Sequence, residues 1–134
     1  MFADLELAHS HTASMRLASG EEALVVRVQT RGGAAGYGFT FAHRVAAARE
    51  MACWDAAARE SGRPLAQLLS EAEPSARAAL EAALDAGSHP WCVAWRAVLA
   101  GTPGADIDWT CEPGFTMLRW IEPEPNPERG SRGP

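Results

Sequence analysis

The sequence predicts one α+β domain: an N-terminal antiparallel hairpin or three-stranded meander, a helical middle and short C-terminal strands. Three observations carry this. Residues 23–30 and 37–41 are rich in β-branched and aromatic side chains and are separated by a glycine-rich turn. Residues 44–100 contain alanine-rich runs with apolar positions at helical spacing. The chain has 134 residues, one domain at about 150 residues per domain. A closed eightfold β/α barrel needs at least about 200 residues, so this chain alone cannot form one.

The elements follow in order. An early strand is expected over residues 5–11, and Ser19-Gly20 marks the turn after it. Ala23 to Thr30 becomes alternating toward its end, as a half-buried strand does. The run Arg31-Gly32-Gly33-Ala34-Ala35-Gly36 reads as a hairpin turn, where positive φ favours glycine, and residues 37–41 as the returning strand. A helix over 44–60 has Val45, Ala48, Met51, Ala52 and Asp55 at helical spacing. Gly62 and Pro64 stop it. A short helix over 65–69 comes next. Another opens at Pro74 and runs to about 85, with Ala76, Leu80, Ala83 and Leu84 in one stripe. A further helix is expected over 91–100, then short strands over 105–109 and 117–121. The single domain spans 1–122. Residues 123–134 hold too little apolar content to offset ordering entropy and are expected to form a disordered, proline-rich tail.

Composition excludes several chemistries. All 12 basic residues counted as Lys+Arg are arginines. Without lysine there is no Schiff base, no phosphate-loop lysine and no lysine general base. Seventeen acids give a net charge of −5, so no nucleic-acid partner is expected. No apolar run approaches the ~18 residues of a membrane span, so no membrane partner is expected either. Three dispersed cysteines, Cys53, Cys92 and Cys111, and an acidic N-terminus point to the cytoplasm.

Two stretches suggest a family. VVRVQTRGGAAGYG (25–38) resembles the capping-domain hairpin "VVRVxTxxGxxGxGE" of the mandelate racemase/muconate lactonizing group of the enolase superfamily. EMACWDAAAR (50–59) with GRPLAQLL (62–69) resembles its "DMALWDLxGKxxGxPLxxLLG", and LRWIEP (118–123) resembles "LxWIEEP". Weaker echoes lie at 79–87 and 96–108. The resemblance implies a capping-domain-like part followed by a truncated, barrel-like part. Intact relatives hold Mg²⁺ with three carboxylates and use a base, commonly lysine, to remove the proton α to a carboxylate. Here Thr110 stands at the first carboxylate position, Glu122 maps to the second, and the lysine position falls near Ser88-His89-Pro90-Trp91.

The expectation is therefore a degenerate relative that is not catalytic alone. No catalytic residue is assigned and substrate-binding residues are left unassigned. Glu122 is a vestigial metal ligand. No cofactor is expected, Mg²⁺ entering only if a partner completes the site; any activity would then be that of an isomerase or lyase. Expected partners are a second copy or a barrel-containing subunit; by resemblance, residues 11–20 and 39–43 would close over the substrate. The alternative is a small binding module or subunit using a tryptophan-rich face (Trp54, Trp91, Trp95, Trp109, Trp120).

Three further candidate sites each have an ordinary structural reading. His9 and His11, at i and i+2, share one face of a strand and suit Zn²⁺ or Ni²⁺ if His89 or a cysteine joins them; the plainer reading is a polar edge. His89 with Cys92 offers a thiol and a base, against a buried cysteine acting as a small hydrophobe. Gly32-Gly33 and Gly36-x-Gly38 fit a hairpin better than a phosphate cradle.

Overall fold

The computed structural model describes residues 7–41, 44–83, 87–118 and 120. The α+β class holds. Strands β1 (Leu7–Arg16), β2 (Glu22–Thr30) and β3 (Ala35–Thr40) form an antiparallel sheet in the order β1-β2-β3. Helices α1 (Val45–Ser61), α2 (Leu65–Ser70), α3 (Pro74–Ala83) and α4 (Pro90–Leu99) follow.

Both turns use glycine at positive φ, Gly20 and Gly33, each at 95°. Thr30 fixes the second turn. Its hydroxyl accepts from the Ala34 N–H at 3.1 Å and donates to Glu60 Oε1 at 2.6 Å, tying the hairpin to the end of α1. Helix α1 stops at Gly62, whose φ of 70° is left-handed, and Arg63 N–H bonds back to the Ala58 carbonyl at 3.0 Å.

Residues at even positions of the sheet face α1. Val26 and Val28 pack on Ala48, Ala52 and Ala56. Small residues on both partners let the helix lie against the backbone of β3. A Cβ on Gly36 would run into backbone atoms of Ala52 and Ala56, and one on Gly38 into those of Ala48. The glycines that read as turn residues thus include one, Gly36, that lies inside the strand and serves helix approach.

The opposite face supplies Ala13, Met15, Ala23, Val25 and Phe39, all buried. Apart from Ala13, these join Met51 and Trp54 of α1, Leu69, Leu80 and the α4 residues Trp91, Cys92, Trp95, Val98 and Leu99 in one cluster. Since α1 contributes to both clusters, the core continues around the β3 edge. There Asp55 of α1 accepts the Tyr37 N–H at 3.0 Å.

The C-terminal segment departs from expectation. Instead of strands over 105–109 and 117–121, residues 105–108 have no regular structure, and two 3₁₀ turns follow, Trp109–Cys111 and Pro113–Met117. Asp108 caps the first, its Oδ1 accepting from the Thr110 N–H at 3.1 Å, and Pro113 opens the second. These groups favour turns over a ladder. Residues 119 and 121 of the second expected strand, the tail 123–134, and the ends of the strand expected from 5 and the helix expected to 85 lie outside the described residues. No helix among the described residues is long and apolar enough to cross a membrane.

Candidate functional site

Asp55 is the most unusual ionisable group. It is 7% exposed. Its Oδ2 accepts two bonds, from the Tyr37 N–H at 3.0 Å and from Arg59 Nε at 3.2 Å. Burial nevertheless raises its pKa above the ordinary aspartate value, outweighing both bonds, and Asp106 adds like charge. Asp55 lines a cleft of about 780 Å³ between α1, α2 and the 101–106 loop, with Arg59, Arg63, Leu65, Thr102 and Asp106. Arg63 is itself paired with Glu71 at 2.5 Å.

A second constellation pairs two residues that nothing in the sequence links. His89 caps α4, its Nδ1 accepting the Trp91 N–H at 3.0 Å. That bond leaves the proton on Nε2, which donates to Glu112 Oε2 at 2.5 Å. Glu112 is buried, and its Oε1 accepts the Ala18 N–H at 2.9 Å. A histidine–carboxylate pair can orient a general base only if the other ring nitrogen faces a substrate. Here that nitrogen is taken by the helix cap, so the pair is a clasp joining the β1–β2 turn, α4 and the C-terminal turns. The sequence signal was a histidine before Pro90, a capping position; the partner 23 residues on carried none.

The cysteines are not activated nucleophiles. Cys92 is fully buried in the core. The Cys53 and Cys111 thiols are both pushed above their ordinary value, by desolvation first and then by nearby carboxylates, Glu50 for Cys53, Asp108 and Glu112 for Cys111.

Thr110, at the family's carboxylate position, donates its hydroxyl to Asp108 Oδ1 at 2.5 Å. Glu122 lies outside the described residues. Among the described residues no three His, Cys, Asp or Glu side chains converge, and a hydroxyl already bonded to its neighbour is a poor donor for a hard divalent cation. Of the two mapped positions, the described one, Thr110, does not fit Mg²⁺.

The tryptophans do not form an exposed patch. Trp54, Trp91, Trp95 and Trp109 are buried, and the half-buried Trp120 packs 5.9 Å from Tyr37. Phe39, Phe41, Trp91, Trp109 and Phe115 form the centre of the aromatic cluster. The tryptophan-rich face suggested as a binding surface is thus core, because the sheet and α4 need large rings to fill the space between them.

His9 and His11 lie on one face of β1, their rings perpendicular at 5.8 Å. Neither His89 nor a cysteine joins them: His89 belongs to the Glu112 clasp. No family model, curated protein or solved structure matches the chain.

Proposed function

We propose that the chain is a degenerate relative of the mandelate racemase/muconate lactonizing group, a capping-domain-like module that acts with a partner and is not catalytic alone. One observation supports this best. The two stretches that carry the resemblance pack directly on each other: Gly36 and Gly38 lie under the α1 backbone, and Asp55 of the Met51–Asp55 stretch bonds the β3 edge at Tyr37. The residues of the pattern therefore build scaffold. The groups that chemistry would need are committed elsewhere, His89 to a helix cap and Glu112, and Thr110 to Asp108. The partner in this reading is a barrel-containing subunit. Mg²⁺ enters only through that partner. The reading assigns the chain to the cytoplasm, in keeping with cysteines, Cys53, Cys92 and Cys111, that form no disulfide among the described residues.

The test is proton exchange. The purified chain, incubated in D₂O with millimolar Mg²⁺ and a panel of 2-hydroxycarboxylates, is followed by proton NMR. The expected result is no loss of the α-proton signal above a protein-free control. Mg²⁺-dependent exchange by the chain alone would overturn the proposal.

A further inference from the structure

The open half of the second sheet face carries a cluster that the proposed function does not use. The register places His11 opposite Arg27, and Arg27 opposite Tyr37. One row further, His9 faces Gln29, and Gln29 faces Ala35. Residues paired this way project to the same side, so His9, His11, Arg27, Gln29 and Tyr37 share one surface. The next row, Ala13, Val25 and Phe39, is sealed in the core. The polar rows are not: His9 is exposed and the other four are half-buried.

Among the described residues, one group here makes no hydrogen bond and another no ion pair. His11 Nε2 is buried and makes no hydrogen bond. The Arg27 guanidinium forms no ion pair among the described residues, although the chain carries a net charge of −5. A buried polar atom without a partner is unfavourable, and a ligand that bonds it removes the penalty.

The same register decides the sign of the ligand. A zinc or nickel ion on His9 and His11 would sit beside Arg27, whose permanent charge repels a cation. An anion is attracted by it. The donors are a planar guanidinium fork, the Gln29 amide and two imidazoles, approaching from two adjacent strands. That number suits the three free oxygens of a phosphate monoester better than the two of a carboxylate. Tyr37 and Trp120, 5.9 Å apart, stand at the Arg27 end of the row; Tyr37 also packs on Trp109 and Phe115, and the part of the two half-buried rings that stays exposed can meet an apolar group.

We infer that this face binds a small phosphate monoester with a flat apolar group: the phosphate on His9, His11, Arg27 and Gln29, and the apolar group on Tyr37 and Trp120. The assignment does not depend on the proposed partner.

The experiment is a ¹H–¹⁵N NMR titration of the full chain with phenyl phosphate, inorganic phosphate, benzoate and Zn²⁺ in separate arms. Phenyl phosphate should saturate in the millimolar range or below, with the largest shifts at His9, His11, Arg27 and Gln29. Inorganic phosphate should move the same residues about tenfold more weakly, and Arg27→Gln should weaken the ester about tenfold. The unbound variant's thermal melt checks its fold, and the wild-type shift map needs no variant. The inference fails if the ester does not saturate, if its shifts fall elsewhere, or if Arg27→Gln binds as tightly as wild type. It also fails if benzoate or inorganic phosphate matches the ester, or if Zn²⁺ alone binds at His9 and His11.

Discussion

Asp55 shows how one side chain can be structurally required and still oppose folding at neutral pH. Its bonds to Tyr37 and Arg59 favour the carboxylate, but burial favours the neutral acid more strongly. Its folded-state pKa therefore lies above the ordinary value of 3.8, and the native state binds more protons than the unfolded chain between the two. Stability falls as pH rises through that window, and the contribution is fully present only below it. Asp55→Asn keeps an acceptor for the Tyr37 N–H and removes the ionisation. Thermal melts should show the variant gaining on wild type as pH rises from about 4, with a parallel pH dependence counting against this account. Little of this was legible in the sequence. Asp55 read as one position on the inner side of a helix. Its burial depends on β3 presenting an unpaired N–H at the same place. His89 and Glu112 were hidden for a similar reason: each looks like a surface residue until the 3₁₀ turns bring Glu112 under α4.

At the level of elements, local pattern was a good guide wherever one chemical cause dominated. The α1 helix was expected over 44–60 and spans Val45–Ser61, because alanine runs favour it and Gly62 and Pro64 end it. Strand β2 was equally clear from its valines. Strand β1 was expected over 5–11 but continues to Arg16, through Thr12, Ala13, Ser14 and Met15. Those residues have modest strand preference, and pairing with Val26, Val25, Leu24 and Ala23 supplies the missing order. Among the described residues the expected C-terminal strands give way to turns, which Asp108 and Pro113 favour. The packing of α1 on β3 makes its own prediction. Gly38→Ala forces a methyl into the Ala48 carbonyl region, where no rotamer change can relieve it, and should cost about 3 kcal/mol in urea unfolding. Gly87→Ala, which meets nothing within 4 Å, should stay within about 0.5 kcal/mol. Equal effects at the two positions would show that the helix does not lie this close.

Over the whole molecule, the Glu112 clasp has a kinetic meaning. The bond from Ala18 to Glu112 spans 94 residues. Its ends meet only with the chain turned at Gly20 and Trp91 of α4 against Phe39, so closing it early would sacrifice chain entropy before any packing had compensated. Such a contact belongs on the native side of the folding barrier. Glu112→Ala removes the acceptor of the part-buried Ala18 N–H and of His89 Nε2, a loss of about 2 kcal/mol or roughly 30-fold in rate. Stopped-flow traces should show nearly all of it as faster unfolding, with refolding unchanged; a slowed refolding limb would instead put the clasp in the nucleus. The clasp thus governs how long the folded state lasts once formed. It is a latch on lifetime, set by a single carboxylate 94 residues along the chain from the turn it holds.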